Sequence, residues 1–206
     1  MNYHTLLVLF KGGIIVPELK TEINGKDLLL LFLYFAEDNK LRHRTRLQKM
    51  IFLFEEEIWD KFKFDQNINK NDLPDFEANN YGPFSPDIYN DCNFLENLGY
   101  INIKETSPNE GKESAFETKK WREESELIEE SVVVSEIQEY VFELTELGEQ
   151  FVEKKLLVNL NNNQQETLKS YVKKFTNIKL RKILKYVYDK YPDYTKESKL
   201  TDLKQG

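Results

Sequence analysis

Apolar and polar residues alternate along this chain in several distinct rhythms. From about Lys26 to Glu37, leucines and aromatics fall on every face, the pattern of a helix surrounded by protein. Over about 45–62, Leu47, Met50, Ile51, Phe54 and Ile58 recur at spacings of three and four, which predicts an amphipathic helix. A third helix is expected over about 86–98, with Ile88, Cys92, Leu95 and Leu98 facing inward. Its start is marked by Tyr81-Gly82-Pro83-Phe84-Ser85-Pro86. Ser85 is placed to accept from the first-turn backbone donors, Pro86 supplies a preset φ, and Asp87 adds charge at the positive end of the dipole. Gly99 suits a left-handed stop, after which Tyr100-Ile101-Asn102-Ile103 alternates like a strand.

Glu139 to Leu144 alternates as a returning strand, and Thr145-Glu146-Leu147-Gly148 caps and opens a fourth helix. Two further helices are expected over about 164–191, with Leu168, Val172, Phe175, Leu180, Ile183, Leu184 and Val187 as their apolar positions. Residues 63–80 read as a polar loop, with Phe76 and Tyr81 anchoring its return. Residues 1–24 fit a small hairpin around Lys11-Gly12-Gly13, an added leader or an accessory strand pair equally well. The order helix, helix, helix, strand, strand, helix predicts a mainly α fold with a small β wing (α+β), a winged helix-turn-helix core. That core, residues 25–158, carries an enlarged acidic wing at about 105–136, and 159–206 form a helical extension.

Composition narrows the function classes. A chain of 206 residues with 40% apolar content can bury a proper core. A formal charge of −7 argues against indiscriminate coating of nucleic acid, though not against a local basic face. One cysteine excludes an internal disulfide framework and suggests a reducing cytosol. The apolar run Leu28 to Phe35 is far shorter than the roughly 18 residues of a membrane span, and residues 1–10 lack the positive region of an export signal. A cytoplasmic protein without a membrane partner is expected.

Four signatures carry a family resemblance. They are Arg44-Thr45-Arg46-Leu47-Gln48-Lys49, Tyr81-Gly82-Pro83-Phe84-Ser85, Leu95-Glu96-Asn97-Leu98-Gly99-Tyr100-Ile101, and Phe142-Glu143-Leu144-Thr145-Glu146-Leu147-Gly148. In this order, over about 40–150, the chain resembles the bacterial YwgA-like proteins and the SocA-like antitoxins that carry the Panacea domain. Tyr186 to Thr195 looks more like the YwgA-like branch. The resemblance implies a small non-enzymatic domain that in some relatives binds a toxin or delivers it to a protease. The expected partner is therefore a protein, a toxin or protease substrate among the options; a homo-oligomer and a nucleic acid stay open.

The candidate contact residues are Arg42, Arg44, Arg46 and Lys49, the densest part of a basic cluster that also holds Lys40 and His43. On a loop entering a helix they could grip phosphates or an acidic segment; a solvated face offsetting the glutamates reads the same. Tyr81, Gly82, Pro83, Phe84 and Ser85 form either a presented surface or a turn stapling the helix entry to the core. Gln48 is placed to hydrogen-bond within the fold. The third helix has no Arg or Lys between Ser85 and Gly99 and points Asp87, Asn90, Asp91, Asn93, Glu96 and Asn97 outward. Such a face suits protein binding better than base readout, where Arg or Lys usually contacts guanine. A winged-helix DNA-binding regulator is the alternative. No catalytic, cofactor or metal residues are expected. His43 sits among arginines, Cys92 reads as core, and no paired histidines, C-x-x-C or phosphate-cradling glycine loop occurs. The Glu-rich insertion and the lysines of the last two helices separate acidic from basic charge, which fits self-association or a charged partner.

Overall fold

The computed structural model describes residues 23–106 and 139–198. The chain is mainly helical with one small antiparallel sheet. Helix α1 (Gly25–Phe35) is opened by a capping box, in which Asn24 and Asp27 satisfy each other's backbone donors. Its residues Leu28 to Leu33 are all buried, as expected from a stripe without a polar side. It packs against α3 (Asp87–Asn97), strand β3 (Glu139–Leu144) and α5 (Asn162–Asn177). Phe32 meets Phe54 and Tyr171 in an aromatic centre, where the Tyr171 hydroxyl donates to the Met50 carbonyl.

The expected second helix is α2 (Arg44–Phe54), continued by a π-helical turn over Glu55–Trp59. Strand β1 (Lys40–Arg42) precedes it, where the sequence suggested only a loop. Three residues are too few to show a period, so only pairing with β3 makes them a strand. Strands β1, β3 and β2 (Ile101–Thr106) lie in the order β1-β3-β2. Leu41 and Ile103 both face Phe142 across that register. Helices α4 (Glu146–Phe151), α5 and α6 (Leu180–Lys190) complete the body. The apolar positions of α5 and α6 join the same core as α1 and α2.

Three local expectations are corrected. Ser85 does not cap α3: its hydroxyl makes no cap hydrogen bond and is buried without a partner among the described residues. Leu98 points outward, at 46% exposure, because it falls in line with Asp87, Asp91 and Phe94 and not with the buried row of Ile88, Cys92 and Leu95. Tyr81 is exposed, whereas Phe76 anchors the loop by packing edge-on against Phe52. The readings of residues 1–22, and of the acidic insertion between Thr106 and Glu139, lie outside the described residues.

Candidate functional site

The four sequence signatures meet in two pairs. In the first, α2 grips the turn that leads into α3. The Gln48 amide donates to the Ser85 carbonyl at 2.7 Å and accepts the Ser85 N–H at 2.9 Å. One turn-facing amide thus satisfies both backbone groups of a buried residue. Lys49 follows the same path and donates from Nζ to the Pro83 carbonyl at 2.6 Å. It is almost fully buried, and the low-polarity surroundings push its ammonium down to about 7. Gly82 sits in the turn with φ 84°, its Cα facing the Tyr188 ring and the Lys49 stem. The C-terminal segment closes over the turn, with the Ser198 hydroxyl donating to the Asn80 carbonyl at 3.0 Å and bonded to the Tyr188 hydroxyl.

In the second pair, the start of α4 grips the end of α3. The Thr145 hydroxyl contacts the Gly99 carbonyl at 2.7 Å and the Tyr100 carbonyl at 3.0 Å, and accepts the Gly148 N–H at 3.1 Å. Thr145 is thus the N-cap of α4, as expected, and also a tie to the corner where Gly99 turns left-handed at φ 75°. Gly148 lies so close that a Cβ there would stand 2.2 Å from the Tyr100 carbonyl oxygen. Both pairs are held through backbone carbonyls, which explains why the motif residues are invested in geometry and not displayed.

The predicted basic cluster is divided by the fold. Arg46 is buried and donates to the carbonyls of Phe175 and Ile178, at 2.5 and 2.7 Å, ending α5. Lys49 is internal as described, so the expectation that Arg46 and Lys49 reach a phosphate or a partner is corrected: each carries its donors into the protein. Arg44 is exposed, but its guanidinium lies 3.3 Å above the Tyr140 ring and 5.1 Å from Tyr89. Lys40 pairs with Glu143 at 3.1 Å, and Arg42 is exposed on the strand. Of the turn residues, Gly82, Pro83 and Ser85 are buried, Phe84 is half-buried against Tyr89, and Tyr81 alone is well exposed.

What remains on the surface is the outer side of α3. Positions 87, 91, 94 and 98 share one stripe of the helix, so Asp87 and Asp91 run into Phe94 and Leu98, which are 47% and 46% exposed. Leu147, 54% exposed, lies against Gly99 and extends this apolar strip onto α4. Asn90, Asn93 and Asn97 form the neighbouring exposed row. Glu96 is turned aside to accept the Ile103 N–H at 2.9 Å. Lys26 of α1 lies beside the strip, its ammonium 5.4 Å from the Phe94 ring centre. Phe94 was missing from the sequence-based surface; its place one turn beyond Asp91, off the 88–92–95 stripe, was the available signal.

The arrangement offers little to nucleophilic chemistry. Cys92 is buried on the inner side of α3, and burial pushes its thiol up to about 12, so the thiolate is scarce. Among the described residues, no three His, Cys, Asp or Glu side chains converge as metal ligands. No described helix is long and apolar enough to cross a membrane. Compared with family models, curated proteins and solved structures, the chain shows no match.

Proposed function

We propose that this protein is a non-enzymatic, protein-binding regulator of the antitoxin or adaptor type, built on a winged-helix-like core and docking through the outer side of α3. The architecture supports this reading through its element order: α1, β1, α2, α3, then the β2–β3 pair, with β1 joined to β3. In such a core α3 is the element aimed outward. The observation that carries the proposal is the exposed strip of Phe94, Leu98 and Leu147, bordered by Asp87 and Asp91 with no cation on α3 itself. An apolar centre with a charged rim is what a protein interface needs. Carboxylates at that rim repel a phosphate backbone, and they favour a partner segment that sets apolar side chains between basic ones.

The runner-up is a winged-helix DNA-binding regulator, favoured only by the exposed Asn90, Asn93 and Asn97, since asparagine can pair with adenine. The two readings separate in one experiment. The tagged full-length protein and its Phe94→Asp/Leu98→Asp variant are purified from the native host, and stoichiometric companions are identified by mass spectrometry. A protein retained by the parent and lost by a variant of unchanged melting temperature is the expected result. A companion held equally by parent and variant overturns the α3 face. Recovered DNA in place of protein, held by the parent and lost by the α3 variant, moves the assignment to the regulator.

A further inference from the structure

Between Glu166 and Asp189 the chain has no acidic residue, although its formal charge is −7. Burial settles which way the two helices of this stretch face. Leu168, Val172 and Phe175 of α5, and Ile183, Leu184 and Val187 of α6, lie in the core. Lys169, Lys173, Lys174, Lys182 and Lys185 are therefore left on the outer faces, flanking the α5–α6 turn on both sides. Among the described residues none of these five forms an ion pair. The turn is not a loose loop, because Arg46 holds the Phe175 and Ile178 carbonyls from beneath.

This grouping works against local helix stability. Lys169 and Lys173 are like charges at i,i+4, which disfavours a helix by a few tenths of a kcal/mol. Lys182 stands in the first turn of α6, where the dipole favours acids and the sequence supplies none. A merely solubilising surface would mix signs. The corner also lacks the apolar centre of a protein interface: among the described residues 162–189 one large hydrophobic side chain is exposed, Tyr186, and its hydroxyl is tied to Glu57.

We propose that the α5–α6 corner binds the sugar–phosphate backbone of a nucleic-acid duplex. Ammonium groups on flexible stems reach phosphate oxygens as point charges and read no sequence. Charges farther than about 8 Å are screened at physiological ionic strength, so a phosphate at the corner feels chiefly the local field of these lysines. This surface shares no residue with the α3 face and stands independently of the function proposed above.

Fluorescence anisotropy of the full chain against short labelled DNA and RNA duplexes of random sequence, with a poly-glutamate peptide as the competing polyanion, tests the assignment. Duplex affinity should fall with salt on a log–log slope of about −4, roughly 0.9 for each phosphate contact. Lys173→Glu with Lys182→Glu should weaken duplex binding by at least about tenfold and flatten the slope by about 2, whereas Lys61→Glu elsewhere on the surface should change neither. If the reversed pair fails to fold, Lys173→Gln with Lys182→Gln gives the same readout at smaller amplitude. Absence of duplex binding at low salt, an unchanged affinity in the pair, or tighter binding of poly-glutamate than of either duplex overturns the proposal.

Discussion

Two basic clusters in this protein look alike as sequence and end in opposite places. Arg44 and Arg46 open α2, with Lys49 one turn on; Lys182 lies in the first turn of α6, with Lys185 one turn on and Lys173 and Lys174 near the end of α5. Both helices start without an acidic first turn or a side-chain cap. In α2 the cations are drawn inward: Arg46 ends α5, Lys49 holds the Pro83 carbonyl, and Arg44 lies on Tyr140. In the α5–α6 corner they stand outside. The difference teaches that a run of cations does not announce a binding surface. What decides is whether backbone carbonyls or aromatic rings from elsewhere come within reach.

The contrast is most sharply broken by disabling the inner cluster. Arg46→Ala removes a charged donor from two carbonyls at the end of α5 and leaves them without that partner. Hydrogen bonds to charged groups are worth about 1.5–3 kcal/mol each, so a loss of about 3 kcal/mol is expected. Chemical denaturation should show it as a lowered midpoint with unchanged m-value. Gln48→Ala should cost about 2 kcal/mol by orphaning the Ser85 N–H and carbonyl. Gln48→Glu should be little better, because a carboxylate cannot donate to that carbonyl.

The third expectation concerns pH. Burial lowers the Lys49 ammonium from its ordinary value of 10.5 to about 7, so the unfolded chain binds more protons there between those values. Stability from this group therefore rises as pH climbs from 7 towards 10, with a slope of at most about 1.4 kcal/mol per pH unit. Glu55 has the opposite sign: burial raises its carboxyl from 4.5 to about 7, so its contribution falls as pH rises through that interval. Together they place a shallow stability minimum near neutrality. Followed from pH 7 to pH 9, the melting temperature of the parent should rise relative to that of Lys49→Met, which has no proton to lose there. A parallel offset would show that Lys49 stays charged throughout.

Much of the fold was legible, and the reasons are local. Leu28 to Leu33 could only suit a helix enclosed on all sides. The spacing of Leu47, Met50, Ile51 and Phe54, the alternation of Glu139 to Leu144, the Gly99 stop and the Thr145 cap are all statements about periods and backbone angles within a few residues. The candidate site was legible only in part. The α3 stripe of Asp87 and Asp91 was visible, while Phe94 and Leu98 on the same stripe were passed over or turned inward.

The sequence by itself determined the helices, two of the three strands, the absence of any cation on α3 and the charge separation along the chain. Tertiary structure alone decided that β1 is a strand, that Ser85 is held by Gln48 and not used as a cap, and that Arg46 and Lys49 are internal. Each of these depends on groups from 34 to 132 positions apart meeting at hydrogen-bond distance. Periodicity reports which side of an element is apolar. It carries no information about which carbonyl, brought from a distant part of the chain, will wait at the end of a long polar side chain.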